Sequence, residues 1–255
     1  MKRPRVIAHR GSSALHPDNG WAAFEAAVAE GADAIECDVQ ATRDGALVVR
    51  HDLAIGEWPL ADLSAAEVAV RAPGTVVLAD LLAWAQRVRI DLLVEVKDPD
   101  ATAAVAAAIA ACAWRERIVV GGFHGPALAS VKSTSRELRT SFMVGSVMAA
   151  ADLVHLAKAY QVDDVHLCWE SRAARPHRLL DRDAIRSLRD AGLGITLWHE
   201  EREDELRELV ALQPDAICTN TPAVLRHIVD ADSNGSESEP TQLWRERALY
   251  QGEKS

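Results

Sequence analysis

The chain has 255 residues, 49% of them hydrophobic, and a formal net charge of −10. This length suits one barrel-sized domain or two smaller ones, and the acidic balance argues against nucleic acid or an anionic membrane as a partner. No apolar run is long enough to span a bilayer, and the first one is too short for a signal-peptide core. We therefore expect a cytoplasmic protein with no stable membrane insertion.

Short apolar runs and helical patterns alternate along the chain. Nine runs predict β-strands: Val6–His9, Ala34–Val39, Leu47–His51, Leu92–Val96, Ile118–Gly122, Ser141–Val144, Val165–Cys168, Ile195–Trp198 and Ala216–Thr219. Seven patterns predict helices: Trp21–Glu30, Leu78–Val88, Ala101–Ala113, Pro126–Thr134, Ala149–Tyr160, Arg182–Ala191 and Glu203–Leu212. This order is typical of an α/β fold with parallel strands, and the length favours a TIM (β/α)8 barrel over a doubly wound sheet.

The first predicted helix has a readable start and a readable apolar face. Asp18 or Asn19 is of the residue type that caps a helix N-terminus. Trp21, Phe24 and Val28 recur at helical spacing. We expect that face to pack against the barrel.

Nine strands are one more than a barrel needs, and the third one explains the excess. The Asp-Gly pair at residues 44–45 favours a tight hairpin turn, and a parallel crossover needs far more residues. The run Leu47–His51 is therefore predicted to fold back on the second strand as an extra antiparallel arm. If the residues flanking the Asp-Gly pair face each other, Asp38 faces His51.

Acidic side chains lie at the ends of two predicted strands. Glu36 and Asp38 are two residues apart, so both point to the same side of their strand, and Glu95 precedes Lys97 with the same spacing. Carboxylates that point together repel one another unless a cation or a proton separates them. Oxygen ligands favour one divalent cation, Mg²⁺ or Ca²⁺. Solvated strand ends and an internal Glu–Lys pair are the structural alternatives.

Basic and imidazole side chains lie at the same strand ends. His9 and His51 can transfer protons near neutral pH, and Arg10 can bind a phosphate through two hydrogen bonds. Gly11 allows the backbone to turn sharply after the strand. Together with the carboxylates and Lys97, this set suits hydrolysis of a phosphodiester.

At these residues the sequence resembles the glycerophosphodiester phosphodiesterase family. The resemblance covers about residues 4–228 and is carried by His9-Arg10-Gly11, Pro17-Asp18-Asn19, Ala23-Phe24, Gly31-Ala32-Asp33, Glu36-Cys37-Asp38-Val39, Thr42-Arg43-Asp44-Gly45, Val48-Val49-Arg50-His51-Asp52, Glu95-Val96-Lys97, Gly192, Leu197-Trp198, Pro214-Asp215-Ala216-Ile217-Cys218-Thr219-Asn220 and Pro222. It implies a TIM barrel that hydrolyses glycerophosphodiesters to sn-glycerol 3-phosphate and an alcohol with the help of a metal.

The resemblance also implies a role for each site residue. The acid and base would be His9 and His51, and the metal ligands would be Glu36, Asp38 and Glu95. Arg10 and Lys97 would contact the phosphate, and Trp198 would shape the substrate pocket.

Several positions depart from the family pattern. Asp18 stands where a glutamate is usual, so its contact with the site changes. The loop that begins at residue 53 is short where the family commonly has a cap over the substrate. Asn220 replaces a usual aspartate, and His124 and His199 lie at strand ends where each can face the pocket or make an ordinary contact. These changes leave the identity of the diester open.

The predicted domain covers residues 1–230, and residues 231–255 are predicted to form a polar, flexible tail. A small-molecule phosphodiester is the expected partner, and the oligomeric state stays open. Three alternatives remain at this point: a phosphodiesterase for a non-glycerol or lysophospholipid-type diester, a Schiff-base lyase that uses Lys97, and a non-catalytic phosphodiester-binding protein.

Overall fold

In the computed structural model, residues 3–168 and 173–234 are described. They contain twelve strands: β1 (Arg5–His9), β2 (Ala34–Ala41), β3 (Leu47–Val49), β4 (Ala54–Ile55), β5 (Trp58–Pro59), β6 (Val76–Val77), β7 (Asp91–Val96), β8 (Ile118–Gly122), β9 (Arg139–Val144), β10 (Asp164–Cys168), β11 (Gly194–Trp198) and β12 (Ala216–Thr219). They also contain nine α-helices: α1 (Trp21–Ala29), α2 (Ala65–Arg71), α3 (Leu78–Val88), α4 (Thr102–Ala110), α5 (Gly125–Thr134), α6 (Ala150–Tyr160), α7 (Arg182–Asp190), α8 (Glu203–Ala211) and α9 (Pro222–Asn234). All the predicted elements are present.

Eight of these strands form a closed parallel barrel. Their order around the barrel is β1, β2, β7, β8, β9, β10, β11 and β12, and β12 pairs in turn with β1. Because β1 pairs with both β2 and β12, the eight-stranded barrel has no open edge. The doubly wound alternative is therefore wrong. The TIM barrel prediction is confirmed. The carboxyl ends of all eight strands therefore meet at one end of the barrel, where active sites of this fold lie.

The strand β3 pairs antiparallel with β2, but the predicted register is wrong by one residue. Val39 lies opposite Val49, and the backbone N–H of Arg50 donates to the carbonyl of Asp38 at 2.8 Å. Asp38 therefore faces Arg50 and not His51. The strand also ends two residues earlier than predicted.

The turn explains this shift. The N–H of Thr42 donates to the carbonyl of Ala46 at 2.9 Å, so these two residues close the hairpin around a three-residue loop. Gly45 takes a φ of 81°, the left-handed conformation that three-residue hairpin loops use at this position. An Asp-Gly pair is found in two-residue and in three-residue hairpin loops, and the prediction assumed the two-residue loop.

Between β3 and α3 the sequence prediction missed three short strands and one α-helix. The strands β4, β5 and β6 have two residues each, which is too short for an alternating pattern to be visible. The helix α2 did carry a signal. Its N-cap Ser64 and Glu67 form a capping box, and this Ser-x-x-Glu spacing could have been found in the sequence.

The start of α1 also differs from the prediction. Its N-cap is Gly20, which makes no side-chain cap, so neither Asp18 nor Asn19 caps the helix. Asn19 adopts a left-handed conformation with a φ of 55°, and its side chain turns away from the helix. The apolar face is confirmed: Phe24 is fully buried, and its neighbours at helical spacing pack against the core.

The core has two parts. The larger one fills the space between the outside of the barrel and the surrounding helices, and Cys37 belongs to it. The smaller one lies on the inward side of the strands and contains Ile7, Ala34, Leu93, Met143, Ala216 and Cys218. Residues 36 and 38 alternate with Cys37 on β2, so their side chains point inward.

The last described helix, α9, continues to Asn234, four residues past the predicted boundary at residue 230. The predicted flexible tail over residues 231–255 therefore lies largely outside the described residues. Within residues 3–168 and 173–234, no helix combines the length and the apolarity that a membrane crossing requires.

Candidate active site

Three buried carboxylates meet at the carboxyl end of the barrel. Glu36 and Asp38 lie on β2, and Glu95 lies on the neighbouring β7, directly opposite Asp38 in the register. Each side chain offers one oxygen, and these oxygens lie within 4.8 Å of one another. The three residues are only 1–2% exposed. The predicted ligand set is therefore brought together in one place.

The cluster is electrostatically costly without a cation. Burial, together with the charges of Asp38 and Glu95, raises the pKa of Glu36 well above its usual range. Burial and the charge of Asp38 also raise the pKa of Glu95. In addition, Glu36 Oε1 is buried without a hydrogen-bond partner among the described residues. Oxygen-only donors with an unsatisfied buried oxygen suit a hard divalent cation.

Two cationic side chains contact this cluster. Lys97 Nζ lies 2.8 Å from Glu95 Oε1 and 3.3 Å from Asp38 Oδ1. Burial lowers the pKa of Lys97, but the charges of Glu95 and Asp38 raise it more, so its pKa is raised and its ammonium stays protonated. Arg10 Nε lies 3.2 Å from Asp38 Oδ2, and its Nη1 donates to Asp18 Oδ2 at 3.0 Å. Both predicted phosphate ligands thus lie beside the carboxylates.

The backbone after β1 turns in a way that few residues tolerate. Arg10 and Gly11 both have positive φ, 56° and 85°. A Cβ on Gly11 would lie 2.6 Å from the carbonyl carbon of Ala23, which is closer than real contacts allow. The turn points the N–H of Arg10 at Glu36 Oε2, to which it donates at 3.1 Å. The glycine is therefore required for this contact with the carboxylate cluster.

His9 lies beside the carboxylates and is almost completely buried. Its Nε2 is 3.9 Å from Glu36 Oε2, and its Nδ1 is 2.7 Å from Asn220 Oδ1. Burial lowers the pKa of His9 well below its usual value, and the nearby His199 and Arg10 lower it further. The imidazole is therefore held neutral and can accept a proton.

His51 is more exposed than His9. Its Nδ1 lies 3.0 Å from the carboxylate of the adjacent Asp52. The side-chain amide of Gln40 lies 2.7–3.2 Å from the carbonyl oxygens of residues 50–52, which ties this loop to β2. Within residues 3–168 and 173–234, no hydrogen bond or ion pair joins His51 to the three carboxylates, so its catalytic role stays a prediction.

A row of aromatic rings extends from His9 toward solvent. The Trp198 ring centroid lies 5.2 Å from that of His9 and 6.2 Å from that of Phe123, which is 48% exposed. The ring of His199 stacks on His9, with centroids 4.6 Å apart and an interplanar angle of 22°. Its Nδ1 lies 2.8 Å from Glu201 Oε1. Trp198 and His199 thus both contact the candidate base.

The two remaining candidates have different roles in the structure. Asp18 is about half exposed, and its link to the site among the described residues is its ion pair with Arg10. The ring of His124 accepts a hydrogen bond from the N–H of Ala127 and caps α5. This contact assigns it to the helix start.

Sequence reasoning missed two side-chain amides. Asn19 binds Asp38, and Asn220 binds His9. Asn220 was noticed only as a departure from the family pattern. No spacing rule connects these residues to their partners, since 19 and 211 residues, respectively, separate them along the chain.

Comparisons with known proteins agree with this geometry. The model of the glycerophosphoryl diester phosphodiesterase family matches residues 9–224. A glycerophosphodiester phosphodiesterase of Caldanaerobacter subterraneus subsp. tengcongensis is 25% identical over 250 residues, and the match covers 88% of this chain and 97% of that protein. A Mycobacterium tuberculosis protein, named probable glycerophosphodiester phosphodiesterase 1, is 57% identical over 49 residues, and this match spans only 18% of its length.

The fold is likewise shared with solved structures. A phosphodiesterase of Oleispira antarctica, solved with the product sn-glycerol-3-phosphate, aligns with a TM-score of 0.77 at 19% identity over 89% of this chain and 97% of that chain. A structure from Galdieria sulphuraria aligns with a TM-score of 0.78 at 20% identity over 90% of this chain and all of that one. With the family match over most of its length, the chain belongs to the glycerophosphoryl diester phosphodiesterase family.

Proposed function

We propose that this protein is a metal-dependent phosphodiesterase that hydrolyses glycerophosphodiesters to an alcohol and sn-glycerol 3-phosphate. The observation that carries the proposal is the buried triad Glu36, Asp38 and Glu95, which lies beside a neutral His9 at the end of the barrel where this fold has its active sites. Membership of the family supports the reaction class. A cytoplasmic role in glycerol and lipid metabolism is part of the same proposal.

The triad would hold one divalent cation, Mg²⁺ or Ca²⁺. When bound, such a cation supplies positive charge that stabilises the phosphate oxygens as negative charge develops on them. Lys97 and Arg10 add two further positive charges at the same place and bind the phosphate. Trp198 forms the wall of the pocket next to His9.

The two histidines move the protons. The Nδ1–H of His9 donates to Asn220 Oδ1, which leaves Nε2 to accept the proton of the attacking hydroxyl. His51, in contact with Asp52, donates a proton to the leaving oxygen. The attacking hydroxyl belongs either to the glycerol of the substrate, which gives a cyclic phosphate first, or to water.

A substrate panel tests this proposal. Release of glycerol 3-phosphate from glycerophosphodiesters should need Mg²⁺ or Ca²⁺ and stop with EDTA. His9→Gln and His51→Gln should each lower kcat by about 100- to 10,000-fold. Near-full turnover in either variant would remove that residue from the mechanism, and a detected cyclic glycerol phosphate would identify the attacking hydroxyl.

The other classes of function are less well supported. A Schiff-base lyase needs a neutral lysine as nucleophile, whereas the pKa of Lys97 is raised by its two carboxylate partners. Trapping of Lys97 by borohydride with a carbonyl substrate, together with activity in EDTA, would favour the lyase. Binding of glycerophosphodiester without turnover would favour a non-catalytic binding protein.

The aromatic wall favours a second candidate substrate, a diester whose alcohol carries an apolar chain. Trp198 packs against His9 on one side and against Phe123 on the other. Phe123 is half exposed although its side chain is large and apolar. If the alcohol lies on this wall, kcat/KM should rise with alkyl chain length, and Phe123→Ser should abolish that rise. Val88→Ser, which changes an exposed apolar residue at the end of α3, is the control.

A further inference from the structure

The buried Asn19 makes an unusual pair of contacts with one carboxylate residue. Its Oδ1 accepts the backbone N–H of Asp38 at 3.1 Å, and its Nδ2 donates to Asp38 Oδ2 at 2.8 Å. Within a side-chain amide only the oxygen can accept a backbone N–H, so the orientation of the Asn19 amide is fixed by this bond. Asn19 is 5% exposed. One side chain thus holds both the main chain and the carboxylate of Asp38.

These contacts occur where β2 changes its neighbour. The pairing of β1 with β2 ends at His9 opposite Glu36, and the pairing of β3 with β2 begins at Val39. Asp38 lies in the gap between the two partner strands. On that side, Arg50 donates its N–H to the carbonyl of Asp38, and Asn19 accepts the N–H. The side chain of Asn19 therefore accepts the hydrogen bond that the backbone of a neighbouring strand would otherwise accept from Asp38.

We infer that Asn19 is a positioning residue that fixes Asp38 in its orientation toward the metal. The inference rests on the proposed metal-dependent function. Groups that hydrogen-bond to metal ligands orient them, and their loss typically weakens metal affinity or activity by about 10- to 100-fold. Asn19 makes two such bonds to one candidate ligand.

The backbone of Asn19 agrees with this role. Its φ of 55° lies in the left-handed region, which asparagine tolerates better than most residues. The residue does not cap α1, because the N-cap is Gly20 and makes no side-chain bond. The N–H of Asn19 donates to the carbonyl of Arg10 at 3.0 Å, which ties it to the turn that follows β1. The loop thus directs the amide at Asp38.

The test is the binding of Mg²⁺ or Ca²⁺ alone, measured by isothermal titration calorimetry on the full-length protein. Asn19→Gly removes the amide and keeps the left-handed backbone free of strain. Asn19→Ser is the second variant, because serine is too short to reach both atoms of Asp38. Gln161→Gly is the matched control: Gln161 has the same φ of 55° and lies exposed at the end of α6, far along the chain from the site.

Both Asn19 variants should bind the cation about 10- to 100-fold more weakly than the wild type, while Gln161→Gly binds it like the wild type. With glycerophosphodiester as substrate, kcat at limiting metal should fall more than KM changes, and excess metal should restore part of it. Thermal melting in EDTA separates this effect from a loss of folding.

Two negative outcomes have different meanings. If the wild type binds the cation and both Asn19 variants bind it equally well, the positioning role of Asn19 is overturned and the proposed function is not affected. If the wild type and a Glu36→Gln variant both fail to take up Mg²⁺ or Ca²⁺, the metal-dependent function itself is overturned, and the role of Asn19 with it.

Discussion

The two ends of the barrel differ in how their carboxylates are neutralised: at one end arginines pair with them, and at the other three of them lie close together. At the amino end, Asp91 at the start of β7 receives Arg5 on one oxygen and Arg117, at 2.8 Å, on the other. Asp164 at the start of β10 is bound by both oxygens to Arg139, at 2.8 and 3.0 Å. Both of these acids are thus paired with arginine. These residues surround a cavity of about 300 Å³ that opens at that end.

At the carboxyl end, three acids crowd together instead. Lys97 is shared between two of them, and Arg10 divides its contacts between the cluster and Asp18. The pKa of Glu36 is raised as a result of burial and of its acidic neighbours. At the amino end, by contrast, each of the two carboxylates is neutralised by a paired arginine. The crowded acids form the proposed functional site, which agrees with the position of active sites at the carboxyl end in this fold.

The largest expected difference between the ends concerns activity. Glu36→Gln removes a candidate metal ligand, and we expect the rate of diester hydrolysis to fall by at least about 100-fold, comparable to the loss of a catalytic group. The same change removes one of three buried negative charges, so the metal-free protein should become more stable. Steady-state kinetics with Mg²⁺ and urea unfolding in EDTA measure the two effects.

A loss of activity together with a loss of metal-free stability would contradict this interpretation of Glu36. It would show that the carboxylate supports the fold. Glu205→Gln is the control, since Glu205 is equally buried but is bound by the side chain of His177 at 2.7 Å. That variant should lose stability and keep its affinity for the metal.

A smaller and opposite effect is expected at the amino end. Asp91→Asn takes the charge from a buried carboxylate that two arginines contact. Removal of one partner from a buried hydrogen-bonded pair costs about 1–3 kcal/mol. Since both arginines are partly exposed, we expect the lower part of this range in urea unfolding, with kcat and KM unchanged. A change in kcat without a change in stability would mean that the cavity at this end takes part in function.

The two ends also differ in how far the sequence predicted them. Strand order, barrel class and the convergence of Glu36, Asp38 and Glu95 followed from alternation and from the period of two along a strand. These are local rules, and they apply at every barrel strand. The charge pairs of the amino end were not predicted, because Arg5 and Asp91 are separated by 86 residues and no pattern links them.

At the carboxyl end, prediction failed where a loop determines the geometry. One extra residue in the turn after β2 moved Arg50 to the place predicted for His51, since side chains alternate along a strand. Asn19 was one of two candidates for the N-cap of α1, because asparagine is a common N-cap residue. In the structure the loop after β1 folds over β2, and this brings Asn19 to Asp38.

His166 on β10 is buried in the barrel between the two ends. Its substitution should give the smallest effect of these variants, a change in how stability depends on pH. His166 is completely buried in contact with Trp198, and burial lowers its pKa from 6.5 to about 3. Between these two pH values the unfolded chain binds a proton at this histidine and the folded protein does not. The free energy of unfolding must therefore fall as the pH drops below about 6.5, by at most about 1.4 kcal/mol per pH unit.

His166→Gln should remove this part of the acid sensitivity, so that stability declines less steeply from pH 6.5 downward than in the wild type. Urea unfolding at several pH values between 7.5 and 4.5 measures the slope, and His155→Gln, at an exposed position on α6, is the control. An unchanged slope in His166→Gln would show that His166 does not cause the acid sensitivity.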